Sequence, residues 1–169
     1  MRGLSSSAAI LLVAGAVVTI PNLPLAGDLN SWSGWDEAAA RIAKVEASVR
    51  AEGHETFVFS PNYKISSLIR FCLPGQPRTY AQDVFGDKAL QFDFFPLPSS
   101  LKGSTGILVL SDQDQGDLNL DRLKAYFDAV ERVEVVEAKA FGKVTRRVQI
   151  YRCSNYKGHP RWLASHGAA

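Results

Sequence analysis

Between residues 38 and 49 the apolar positions Ala38, Ile42, Val45 and Val49 recur at spacings of four, three and four, which gathers them into one stripe of a helix. Arg41, Lys44, Glu46 and Arg50 fall on the other side and are expected to face water. Ser33 is expected to cap this helix, with Asp36 beside the positive end of its dipole, and Gly53 to stop it. The period then changes. Thr56-Phe57-Val58-Phe59-Ser60 is a β-branched and aromatic run of the kind found in strands covered on both faces. Pro61 and Asn62 break it, and from Tyr63 the residues Ile65, Leu68, Ile69 and Cys72 return to helical spacing until Leu73-Pro74-Gly75. A strand turning through a short corner into a helix is half of a parallel crossover unit.

The rest of the chain repeats this step and then changes style. Residues 78–81 suit a short strand, and residues 82–102 read as irregular because Pro96 and Pro98 exclude a regular central strand. Residues 107–110 form a second buried-strand candidate. An acidic loop, 112–117, leads into a helix from about Leu120, with Leu120, Leu123, Phe127 and Val130 expected on one side. Residues 133–140 and 144–152 are β-rich and flank Phe141-Gly142-Lys143, which predicts an antiparallel hairpin. The expected fold class is α/β, a three-layer sandwich with a mixed sheet of about five strands, preceded by one N-terminal hydrophobic helix. From Ser154 the chain is polar and small apart from Trp162, and a loose tail is expected.

That N-terminal segment is the strongest signal of location. Residues 3–27 carry no charge, and residues 8–20 are continuously apolar or small except for Thr19. A spanning helix takes about 20 residues, and Pro21 and Pro24 would end this one near an interface. Arg2 precedes the run, so the positive-inside tendency places the following domain outside the cytoplasm. Three readings fit: a retained transmembrane helix, a cleaved signal peptide whose cleavage site is spoiled by Pro24, or a buried helix of a soluble protein. The first two agree on export. The resulting partition is a transmembrane helix or uncleaved signal anchor over 1–28, an exported α/β domain over 29–157 and a tail over 158–169.

Composition narrows the partners. The 169 residues, 46% of them hydrophobic, suit one domain with an adequate core. Nineteen basic and 17 acidic side chains give a charge of +2 with no dense basic run, which argues against nucleic acid. Cys72 and Cys153 lack metal-type spacing; export would permit a disulfide, whereas the apolar helical face around Cys72 suits a buried free thiol.

Candidate chemistry is sparse. The stretch Asp112-Gln113-Asp114-Gln115-Gly116-Asp117 offers calcium-type oxygens, but its glycine is one position early for an EF-hand loop and Leu123 stands where the closing Glu belongs. Asp117 or Asn119 is better read as a helix cap. His54, His159 and His166 are scattered and read as surface residues, no serine sits in a G-x-S-x-G corner, and no phosphate-loop pattern occurs. No catalytic residue, metal ligand or cofactor follows. What remains is Gln91-Phe92-Asp93-Phe94-Phe95 beside the Tyr63 helix. Aromatic faces next to an amide and a carboxylate suit a sugar or lipid headgroup, with Tyr63, Gln91 and Asp93 as the binding residues; the alternative is that the rings pack on the core while Asp93 bonds nearby backbone.

The ordered set Tyr63, Ser67, Phe71, Leu73-Pro74-Gly75-Gln76-Pro77, Tyr80, Gln91-Phe92-Asp93-Phe94-Phe95 and Leu101-Lys102-Gly103 resembles the carboxy-terminal soluble region of bacterial dolichyl-phosphate-mannose-protein mannosyltransferase-like membrane enzymes, a group that includes the aminoarabinose transferases of lipid A. The resemblance spans residues 35–157, with 4–25 in the place of a last membrane helix. Cys72, Phe92 and Phe95 depart from it, standing where the family often has tyrosine, tyrosine and tryptophan. What the resemblance implies is an accessory periplasmic domain at the bacterial inner membrane. Its partner would be a multi-helix glycosyltransferase membrane domain that uses a polyprenyl-phosphate-sugar donor and carries the catalytic acids. The other expectation is a free-standing exported module that binds a carbohydrate or a lipid.

Overall fold

The structure, a computed structural model, describes residues 34–95, 97–112, 120–140 and 143–159. The expected apolar N-terminal helix, Ser33, the stretch 113–119 with its calcium and capping alternatives, and residues 160–169 lie outside the described residues. Among the described residues no helix is long and apolar enough to cross a membrane.

The elements follow in the order α1 (Trp35–Ala51), β1 (Thr56–Phe59), α2 (Tyr63–Cys72), β2 (Thr79–Tyr80), three 3-10 turns (Gln82–Phe85, Leu90–Phe94, Ser99–Leu101), β3 (Thr105–Ser111), α3 (Leu120–Tyr126), β4 (Ala129–Ala140) and β5 (Lys143–Ser154). They build a mixed five-stranded sheet in the order β2-β1-β3-β5-β4. β1 lies parallel to both β2 and β3, whereas β5 pairs antiparallel with β3 and β4. The α/β class and the mixed sheet of about five strands are as expected. The hairpin is longer than the sequence suggested, and β4 meets β5 with register shifts at Arg132/Glu134 and at Ala138/Lys139.

Alternation along the strands separates two cores. Val58, Ile107, Val109, Val148 and Ile150 point to one face, where Ala38, Ile42, Val45 and Val49 of α1 and Ile65 and Ile69 of α2 cover them. Phe57, Phe59, Leu108, Leu110, Tyr151 and Cys153 point to the other, and meet Tyr80, Val84, Phe85, Leu123, Phe127 and Tyr156. Gly106 of β3 admits this aromatic layer: a Cβ there would lie 2.7 Å from Phe59 Cε1 and 3.1 Å from Phe127 and Phe57.

Several local expectations are corrected. Gly34, at φ 80, is the N-cap of α1, and no side chain bonds there. Glu46 is buried rather than facing water, because its Oε1 accepts from Arg50 Nη2 at 2.6 Å and from Thr56 Oγ1 at 2.9 Å, tying α1 to the start of β1. Val130 belongs to β4, not to the preceding helix, since α3 ends at Tyr126. Residues 155–159 are not loose: Tyr156 is buried, its hydroxyl donates to the Val84 carbonyl at 2.5 Å, and Lys157 N–H donates to the Tyr126 carbonyl at 2.8 Å. His159, expected at the surface, is buried with its ring stacked 6.4 Å from that of Tyr126. Gly86 makes room for it, at φ 70 and with no space for a Cβ beside the imidazole. The two thiols are free, Cys72 beside the aliphatic core and Cys153 within the aromatic one, so the sheet stands between them and a disulfide is not formed. Arg146, also buried, lies with its guanidinium carbon 4.6 Å from the Trp35 ring centroid and donates to Ser111 Oγ at 2.9 Å.

Candidate functional site

The site is assembled by α2, which begins at Asn62, whose side chain accepts the Lys64 N–H at 2.8 Å. Pairing of Phe59 with Tyr80 brings the short strand β2 beside β1. Buried hydroxyls then lock α2 to that strand: Ser66 Oγ donates to the Tyr80 carbonyl at 2.6 Å, and Thr79 Oγ1 donates to the Ser66 carbonyl at 2.8 Å. Across from α2, the 3-10 turn Leu90–Phe94 starts at a leucine with φ 52, an uncommon conformation for a residue other than glycine. Its Asp93 Oδ1 accepts the Ala89 N–H at 2.9 Å and closes the turn, while Arg78 Nη2 donates to the Phe95 carbonyl at 2.7 Å and holds its end.

Between these segments lies a cleft of about 360 Å³, lined by Ser67, Arg70, Arg78, Thr79, Gln91, Phe92 and Phe95. Among the described residues two guanidinium groups reach it and no carboxylate, imidazole or thiol does. Arg70 has no hydrogen-bond or ion-pair partner among the described residues, whereas Arg78 stacks 4.9 Å from the Tyr80 ring centroid. Burial is the first cause of the raised pKa of Tyr80, with Asp83 adding to it and Arg78 opposing it. A fork of N–H donors beside aromatic faces suits an anionic or hydroxyl-rich ligand with some apolar surface.

Of the residues expected to bind, Gln91 lines the cleft. Tyr63 is half-buried at the first turn of α2, outside the lining set, and its carbonyl accepts the Ser67 hydroxyl at 2.9 Å. Asp93 is exposed and also outside that set, with one oxygen engaged by backbone. The three rings divide: Phe92 is half-buried, while Phe94 and Phe95 are exposed. Arg70, Arg78, Ser67 and Thr79 were missed by reading the sequence. Helical spacing offered a signal for one of them, since Arg70 stands one turn beyond Ser67 of the quoted pattern.

Other groups offer less. The Cys72 thiol is pushed up to about 11 and the Cys153 thiol to about 12, in both cases first by burial, so neither is a ready nucleophile at neutral pH. Asp83 is raised chiefly by burial, and its Oδ2 and the Gln82 Oε1 are buried without a hydrogen bond among the described residues. A second cavity, beside Tyr156 and His159, has about 10 Å³ and holds one water at most. Among the described residues no group of three or more His, Cys, Asp or Glu side chains is placed to hold a metal. Comparison with protein-family models, with curated proteins and with solved structures finds no match.

Proposed function

We propose that this chain is an accessory domain of a membrane glycosyltransferase that uses a polyprenyl-phosphate-sugar donor, held at the periplasmic side of a bacterial inner membrane beside a multi-helix catalytic partner. The supporting observation is convergence. Ser67 from the first part of the ordered residue pattern and Gln91 from a later part line one cleft, together with Phe92 and Phe95, the two positions of that later part that depart from the family. Distant pieces of a pattern that meet at a concave surface are better explained by a shared ligand than by separate packing needs. The lining suits holding rather than reacting, since its described residues include no acid–base pair and Ser67 donates to the Tyr63 carbonyl.

The direct test is genetic and biochemical together. Deleting the chain is expected to abolish sugar transfer in membranes that contain the partner, re-expression to restore it, and the purified full chain to show no turnover. Unchanged transfer after deletion overturns the reading.

A second reading is a free-standing exported module that binds a carbohydrate or lipid. Its support is the cleft's volume, which falls within the range of small-ligand sites. Titrating the full chain with polyprenyl-phosphate sugars and with glycans separates the two: saturable binding with no membrane partner present favours the module.

A further inference from the structure

Large apolar side chains are exposed on the two segments that flank the cleft, and they are mostly aromatic. Phe71 is 75% exposed, Phe94 82%, Phe95 59% and Leu90 57%. Phe71 follows Arg70 and stands one turn beyond Ser67 on α2, so it borders the lining on that side. Phe94 and Phe95 border it from the turn opposite, and Phe95 is itself in the lining. Among the described residues that line the cleft the charge is one-sided, and Asp83, which interacts electrostatically with Arg78, lies outside that lining. Arg70 and Arg78 line the cleft, and Lys64, one turn before Ser67, is exposed. Asp93 is the acid on the turn, and one of its oxygens already accepts the Ala89 N–H.

Exposed valines elsewhere have a different setting. Val133, Val135 and Val144 are exposed on the hairpin among paired charges such as Arg147–Glu137 and Arg41–Glu134. Those are single apolar residues on a charged surface, whereas the cleft rim is a set of rings around an arginine without a partner among the described residues.

We infer that the cleft face docks on an anionic lipid bilayer, with Phe71, Phe94 and Phe95 entering the headgroup boundary and Arg70 and Arg78 receiving lipid phosphates. Rings sit favourably at that depth because their apolar bodies leave water, and each basic side chain near an anionic surface adds attraction. The occupant is set by charge complementarity: a lining whose described residues include two cations and no acid fits a negative surface better than a second copy of the same cationic face. This docking goes beyond the glycosyltransferase reading, because it needs neither a catalytic partner nor a sugar donor.

The test uses the full chain reconstituted in vesicles of phosphatidylcholine alone or mixed with phosphatidylglycerol, with a Phe94→Trp reporter and brominated lipids as quenchers. Quenching beyond that of the parent chain is expected in the anionic vesicles, falling in high salt, and Arg70→Gln is expected to lower the ratio of docked to undocked protein about fivefold. Circular dichroism of each variant confirms that the fold is kept, and a Phe71→Trp reporter repeats the measurement at the other rim. Emission that stays open to aqueous acrylamide in both vesicle types overturns the proposal. So does emission shielded from acrylamide and lipid alike in proportion to protein concentration, which would signify pairing of two copies. Normal docking of the full chain together with unchanged sugar transfer after its deletion would count against the glycosyltransferase reading alone.

Discussion

The two faces of the sheet are filled by different chemistry. On one, two helices of 17 and 10 residues lay aliphatic side chains across Val58, Ile107, Val109 and Ile150. On the other, a helix of seven residues and three short turns provide little backbone volume, and rings fill the space instead. Phe59 has ring centroids of Phe57, Phe127 and Phe85 at 5.5, 5.6 and 5.9 Å. Where the cover is thick, mainly aliphatic side chains with Trp35 at the start of α1 suffice; where it is thin, stacked rings themselves become the layer.

Truncation gives the largest test of this contrast. Phe59→Ala is expected to cost about 4 kcal/mol and Ile150→Ala about 3 kcal/mol, the gap reflecting lost ring–ring contacts. Urea unfolding of both variants measures it, and equal losses would break the distinction. Overpacking comes next. Gly106→Ala pushes a methyl against Phe59, Phe127 and Phe57 and is expected to cost about 1–3 kcal/mol. Combining it with Phe59→Leu should recover part of that cost, and strict additivity would show that the ring is not what the glycine accommodates.

The thiols give the smallest effect. Both are raised from the ordinary value of 9.0, Cys72 to about 11 and Cys153 to about 12. The unfolded thiol therefore ionises first, so their contribution to stability is complete below pH 9 and is lost as pH rises toward 11 and 12. Thermal melts between pH 8 and 11 should fall less steeply for Cys153→Ala than for Cys72→Ala. At pH 8 a disulfide reagent is expected to label the half-buried Cys72 slowly and to reach Cys153 only on unfolding.

Period was the legible part of the sequence. The aliphatic stripe of α1, the change of spacing at Thr56 and Tyr63, and the hairpin all follow from residue order. Val130 shows the limit, because Leu123, Phe127 and Val130 keep helical spacing while the backbone has already become a strand at Ala129. Glu46 and Tyr156 were misjudged for another reason: their burial depends on Thr56 and Val84, which are remote in the chain or on another element. The cleft was half legible. Gln91 stood out by its aromatic neighbours, but Arg70 and Arg78 acquire meaning only when α2, β2 and the Leu90–Phe94 turn converge.

The sheet's two margins also differ, and this bears on behaviour in concentrated solution. β2 presents only two residues, while β4 runs for 12 and is paired on one side. A strand of that length would normally be a template for a neighbouring molecule's backbone. The register shifts at Arg132/Glu134 and Ala138/Lys139 interrupt its row of amides, and Glu131, Glu137 and Lys139 place charge along it. Among the described residues the outer strand is thus poorly shaped for growth of a fibril from its unpaired side.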